Sequence, residues 1–248
     1  MGNILTLAQK ELRAYFVSPI AYVLLVFFAL LFGYFYASSI NFMVQLSMGQ
    51  FGTGGPQIIN INEFMIRPLF GNTAVILLFM LPMLTMRSFA EEKRSGTIEL
   101  LLTSPLTDFQ IIMGKFLGAM ALYTLMLSLT LIHIGVLFWY GEPEWAPVLS
   151  GYLGFILYIA AALAVGILAS SLSSNQIVSA VLGFGILLIM ILLDSASDLV
   201  QGFASTILEE ASLLTHFEDF SRGVIDLWNL TYYITVIAVF LFLTVLAL

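Results

Sequence analysis

The chain contains no cysteine, which excludes disulfides and thiolate metal centres. Charge is nearly as scarce: only 9% of the residues are Asp, Glu, Lys or Arg, where a soluble domain carries roughly one quarter. With eight basic residues against fifteen acidic ones, a nucleic acid is not an expected partner. No G-x-x-x-x-G-K-[ST] phosphate loop is present, because Gly114-Lys115 is followed by Phe116 and lacks the earlier glycine. The zinc motif H-E-x-x-H and the nucleophile elbow G-x-S-x-G are absent as well. No internal repeat and no low-complexity tract interrupts the sequence.

What the chain has is apolar length. Of its 248 residues 60% are hydrophobic, and a mean hydropathy of +1.04 marks an integral membrane protein. A helix crossing a hydrocarbon core of ~30 Å needs about 20 apolar residues. Five runs approach that length: Ile20 to Ala37, Phe116 to Tyr140, Val148 to Leu172, Ile177 to Leu193 and Leu230 to Leu248. A sixth, Thr73 to Met86, is short and contains Pro82, so it must recruit Pro68 to Asn72 or lean on neighbours that satisfy its freed backbone groups. The first run follows Lys10 and Arg13, is too long for a removable signal peptide and lacks a small-residue cleavage site. Six spans gather Lys10, Arg13, Arg87, Lys93, Arg94 and Lys115 on one side and leave only Arg67 and Arg222 on the other. The rule that basic loops stay inside then makes the first side cytoplasmic, with both termini. Ten of the fifteen acids fall on the outer side: Glu63, Glu142, Glu144, Asp194, Asp198, Glu209, Glu210, Glu218, Asp219 and Asp226. The expected fold is an all-α integral membrane protein, residues 1–248 forming a single transmembrane domain.

Three segments stand outside the spans. In residues 1–18, Ile4, Leu5, Leu12 and Phe16 fall near one helical face, with Gln9, Lys10 and Arg13 on the other, until Ser18 and Pro19 break the run. This pattern predicts a helix lying in the inner interface. In residues 194–229, Leu199, Phe203, Ile207, Leu208, Ala211 and Leu214 recur at helical spacing, which predicts amphipathic helices resting on the outer interface. Gln50 to Pro56, with Gly52, Gly54 and Gly55, reads as a loop. The third segment, residues 87–110, is the main polar feature of the chain. There Ser95 is placed to cap a short helix, Gly96 supplies a bend, and Ile98, Leu101 and Leu102 form an apolar stripe with Glu99 beside it. Ser104 and Pro105 end that helix, and Thr107-Asp108 starts the next. Its amphipathicity alone suits a mere anchor between two spans as well as a contact for a soluble partner.

Within the spans, Gly114-x-x-x-Gly118 and Gly166-x-x-x-Ser170 permit close helix approach, either in intrachain packing or at a dimer seam. His133 lies in an apolar span with no acidic partner nearby, where a hydrogen bond from a neutral imidazole to an adjacent helix is the expectation. Met80, Met83 and Met86 suit an apolar path and a packed core equally.

The run Glu92, Arg94, Gly96, Thr97, Glu99, Leu101, Leu102, Thr103, Ser104, Pro105, Gly114 and Lys115 resembles the segment after the second span in permease subunits of ABC-2 type ATP-binding-cassette transporters. Lys10 to Phe16 and Ser18 to Tyr22 are similar to the same family, most of all to its gliding-motility and multi-copper-maturation permeases. The resemblance spans essentially the whole chain. It implies a prokaryotic inner-membrane exporter subunit without catalytic residues or metal. Glu92, Gly96, Thr97, Ile98, Glu99, Leu101 and Leu102 would form a coupling helix on a separate cytoplasmic ATPase, present in two copies. ATP and Mg would be held there, with no cofactor on this chain. A second permease, identical or related, would complete the pore, residues 1–18 would be a connector helix, and bilayer lipid and an outer-side partner would be further contacts. The alternatives are ATP-driven mechanotransmission or membrane assembly without a transported substrate, an ion-coupled carrier, and an intramembrane protease. For the protease Glu91-Glu92 resembles a paired-glutamate site, but Arg94 stands too close and His133 too far.

Overall fold

The computed structural model describes residues 2–48, 60–99, 103, 105–197, 199–200 and 202–248, and among these residues no strand forms. Helix α1 (Gly2–Val17) ends at Ser18, which also starts α2 (Pro19–Ser47). The Ser18 hydroxyl accepts the Ile20 amide, and Pro19, with no amide to leave unpaired, takes the first helical position. Helix α2 has 29 residues, about 44 Å at 1.5 Å per residue, and so outruns the hydrocarbon core that Ile20 to Ala37 would fill. Ser38, Ser39 and Asn41 are polar but neither Gly nor Pro, and nothing in them stops the helix.

The second span is longer than its apolar run. A π-helical turn, Asn62–Ile66, feeds directly into α3 (Arg67–Thr85), which recruits Pro68 to Asn72 into its first turns. Pro82 sits inside α3 and removes the amide that would have served the Leu78 carbonyl. Neighbours support the surrounding backbone: the Tyr123 hydroxyl donates to the Met80 carbonyl at 2.8 Å and the Tyr158 hydroxyl to the Ala74 carbonyl at 3.2 Å. A short helix, α4 (Ala90–Ser95), follows. Helix α5 (Asp108–Gly141) then starts two turns before the apolar run at Phe116, capped by Thr107 and Gln110, each side chain accepting the other residue's amide. The remaining helices are α6 (Trp145–Ser171), α7 (Gln176–Ser197), α8 (Phe203–Glu210), α9 (Leu213–Ser221) and α10 (Leu227–Ala247). Six helical stretches among the described residues have the length and apolarity to cross a membrane: Pro19–Ser47, Asn62–Ser95, Asp108–Gly141, Trp145–Ser171, Gln176–Ser197 and Leu227–Ala247.

Helix α6 is the axis of the bundle. Every residue from Tyr158 to Ser171 is buried, and Ala160, Ala161, Ala162, Ala164, Gly166 and Ala169 keep that stretch thin enough for other helices to approach it closely. By contrast α2 buries a single stripe of Ala21, Leu24, Phe28, Phe32 and Tyr36, spaced three or four residues apart, and turns the rest outward. His133 of α5 packs edge-on against Phe32 at 5.3 Å and Tyr36 at 5.1 Å. Its Nδ1 is buried without a hydrogen-bond partner among the described residues, so an aromatic clasp from α2 stands where the sequence suggested an interhelical hydrogen bond.

The segment after α7 goes deeper than an interfacial rest. Helix α8 buries none of its residues, but α9 wedges into the bundle, with Phe217 and Phe220 against the bare Gly154 of α6. His216 is buried there, its Nδ1 2.6 Å from Asn229 Oδ1 and its Nε2 3.0 Å from the Glu210 carbonyl, which ties α9 to α10.

Helix α1 is likewise more than a surface float. Leu7 is buried and Leu5 is 65% exposed, so the face that packs is rotated from the one the apolar pattern suggests. The receiving surface is Gly114-x-x-x-Gly118: a Cβ on Gly114 would meet the Leu7 side chain, and one on Gly118 would stand 2.8 Å from Glu11 Cβ and 3.1 Å from the Ala8 carbonyl. The pair is an intrachain seam. Gly118→Val should therefore destabilise the protein by roughly 1 to 3 kcal/mol and raise amide exchange in α1. Gly135→Ala, where a Cβ meets nothing within 4 Å, should leave both unchanged; equal effects would show that α1 is not held by this seam.

Candidate functional site

The polar segment between α3 and α5 is fixed from two sides. Beneath it, the Ser170 hydroxyl of α6 donates to the Met86 carbonyl at 3.1 Å and accepts the Phe89 and Ala90 amides at 2.9 and 3.1 Å. The first residues of α4 have no side-chain cap of their own, so α6 supplies one. Lys93 Nζ adds a hydrogen bond to the Ser171 carbonyl at the end of the same helix. Gly166 lets this happen, since its missing Cβ leaves room for Thr85 immediately before the turn.

On the other side stands a buried cation. Lys115 is 2% exposed, and its Nζ donates to Glu92 Oε1 of α4 at 2.7 Å and to Glu11 Oε1 of α1 at 3.2 Å. It also lies over the Phe89 ring, 5.1 Å from the centroid. An ammonium withdrawn from water is tolerated only with partners of this kind, and here the partners come from two other helices. One lysine therefore locks α1, α4 and α5 together. Burial pushes the nearby Tyr15 phenol well above its usual pKa, and Glu11 adds to the rise, so that this hydroxyl stays neutral.

Beyond the clamp the chain turns outward. Gly96 closes α4 in the left-handed region at φ 70°, a conformation costly to any residue with a Cβ. The Ser95 hydroxyl donates back to the Glu91 carbonyl at 2.9 Å and pairs with Thr97 Oγ1 at 2.8 Å. Thr97 and Glu99 are exposed and Ile98 is half-buried against the core. The Thr103 amide and hydroxyl both donate to the Glu99 carbonyl, at 3.0 and 2.9 Å. Leu101, Leu102 and Ser104 lie outside the described residues, as do Gln50 to Pro56.

Of the residues singled out from sequence, Gly96, Thr97, Ile98 and Glu99 form one outward knuckle, whereas Glu92 is turned inward to Lys115. Sequence reading missed Glu11, Ser170 and Ser171. The contacts that reveal them join residues 78 to 104 positions apart, and no periodicity signals such a pairing. Only the charge of Lys115 at the foot of an apolar span hinted at it.

At the opposite end of the bundle, Glu218 Oε2 holds Arg67 at 3.1 Å and Arg222 at 3.0 Å. Between α5 and α6 lies an apolar cavity of about 440 Å³, lined among others by Leu131, Phe138, Trp145 and Tyr152. Among the described residues no group of three His, Cys, Asp or Glu side chains is arranged to hold a metal ion.

Removing the central lysine leaves two carboxylates partly buried and unpaired, so Lys115→Met should cost on the order of 3 kcal/mol. Glu11→Gln or Glu92→Gln should cost less, because the ammonium keeps one partner. Thermal unfolding in detergent ranks the three; a neutral Lys115→Met would mean that no clamp exists.

A search of curated proteins finds no match to this chain. The family described as ABC-2 family transporter protein, however, matches residues 5–247, from the first turn of α1 to the end of α10. The clamped platform thus belongs to a transmembrane permease subunit, and the chain is a member of the ABC-2 transporter family.

Proposed function

We propose that the knuckle at Gly96 to Leu102 is where a separate ABC ATPase grips this permease, and that the Lys115 clamp passes the pull on to α1 and α5. One observation carries the reading: an exposed, glycine-bent tip stands on a base held by buried charge and by two serines of the most buried helix. A surface built only to join two spans has no need of that anchorage. In this reading Thr97, Ile98 and Glu99, with Leu101 and Leu102, meet the ATPase, and Glu92 acts from beneath through Lys115. Family membership implies an ABC ATPase as the partner. Two ATPases, a second identical or related permease and export are the arrangement proposed.

Charge supports the orientation. Lys10, Arg13, Arg87, Lys93, Arg94 and Lys115 share the α1 and α4 end, against Arg67 and Arg222 at the other. The first end is therefore proposed to face the cytoplasm of a prokaryotic inner membrane, with both termini. A second reading, ATP-driven movement that acts on an outer partner without a transported substrate, draws on Leu199 and Phe203, which are 87% and 82% exposed on the opposite end. The narrower likeness to gliding-motility and multi-copper-maturation permeases rests on Lys10 to Phe16 and Ser18 to Tyr22.

Co-purification of the permease with its ATPase tests the coupling role. Gly96→Val and Glu99→Lys should lower permease-stimulated ATP hydrolysis several-fold while the permease keeps its thermal midpoint. Full complex formation and stimulation with both variants would refute it.

A further inference from the structure

A cavity of about 330 Å³ opens beside the clamp, where α1 gives way to α2 and α3 reaches its end. It falls near the lower end of the range for small-ligand pockets, about 300 to 1,000 Å³. Its wall has two characters. Ile20, Leu84 and Met83, the last 49% exposed on the outer surface of α3, make an apolar side continuous with the face a bilayer would cover. Lys10 and Glu11 of α1, Arg87, Glu91 and Glu92 around α4, and Lys115 of α5 make a charged side.

The charged side is unfinished. Among the described residues, Arg87 Nε and Glu92 Oε2 are buried side-chain polar atoms without a hydrogen-bond partner, and both belong to residues lining this one cavity. Buried polar groups are ordinarily satisfied, so such a concentration at one place marks a missing partner. Among the described residues neither Arg87 nor Lys10 nor Glu91 has an ion pair, whereas Lys115, Glu11 and Glu92 Oε1 are already engaged with one another. The formal charges cancel: Lys10, Arg87 and Lys115 against Glu11, Glu91 and Glu92. A purely anionic ligand would answer Arg87 and Lys10 but face Glu91 and Glu92. A purely cationic one would reverse the fault.

From this balance we infer that the cavity binds the headgroup of an aminophospholipid, its phosphate against Arg87 and Lys10 and its primary ammonium toward Glu91 and Glu92, with the acyl chains leaving over Met83 and Ile20. A quaternary ammonium has no N–H to donate to Glu91 or Glu92, and a glycerol headgroup carries no cation. Lipid identity is thereby read at the joint between α1 and α4, next to the clamp. The site concerns the permease alone and stands or falls separately from the coupling to an ATPase.

Native mass spectrometry of the full-length permease in detergent tests the site, with dioleoyl phosphatidylethanolamine, phosphatidylcholine and phosphatidylglycerol added in equal amounts. The ethanolamine lipid should be retained several-fold above the other two. Arg87→Gln should abolish retention of all three. Glu91→Gln should erase the preference and leave phosphatidylglycerol retained as well as the ethanolamine lipid. Neither residue makes an ion pair among the described residues, and unchanged thermal midpoints will show that both variants fold. Equal retention of the three lipids by the native protein, a preference surviving Arg87→Gln, or displacement of the lipid by inorganic phosphate would each overturn the assignment.

Discussion

A lysine withdrawn from water must be answered from all sides, and in this protein the answer decides how three helices are arranged. Lys115 is answered inside the structure because Glu11 and Glu92 reach it from different elements and Phe89 presents its ring. Such an arrangement is poor at gaining stability, since desolvation consumes most of the attraction. It is good at fixing geometry, because any separation of α1, α4 and α5 strands a charge. A segment proposed to be pulled by a separate ATPase needs that property more than it needs stability.

The same logic extends to the small residues. Gly114 and Gly118 let α1 lie directly on α5, close enough for Glu11 to reach Lys115. Gly166 admits Thr85, so that Ser170 can cap the turn that begins α4. Without a hydrophobic drive between helices in lipid, close packing and hydrogen bonds set the approach. Here the thin stretches of α5 and α6 place the polar contacts. The apolar bulk of the chain sets up spans, and a few absent Cβ atoms decide which polar groups meet.

Much of this was legible in the chain. Six apolar runs, the helix before Ser18-Pro19, the start of α5 at Thr107 and the presence of helices between Asp194 and Asn229 follow from composition, spacing and capping chemistry, all of them local. The length of α2 was not, because Ser38, Ser39 and Asn41 are compatible with helix outside the bilayer and apolarity gives no signal there. The depth of α9 was hidden for a similar reason: Phe217 and Phe220 find their seat at Gly154 in a distant helix. The knuckle around Gly96 was visible as a charged interruption, but the inward turn of Glu92 was not, since it depends on Lys115, 23 residues away, which in turn is shared with Glu11, 104 residues from that lysine. His133 looked like a hydrogen-bonding group and proves to be gripped by two aromatic rings instead.

In the proposed coupling α1 and the knuckle move as one body while the spans change their relation to each other. Because the native chain has no cysteine, spin labels can be placed at will on Gln9 and Thr97, both exposed. The interlabel distance measured by pulsed electron resonance in the complex with its ATPase should be narrow and the same without nucleotide and with trapped ATP. A distribution that shifts or broadens on ATP binding would show that the clamp opens, and the proposed transmission through Lys115 would be contradicted.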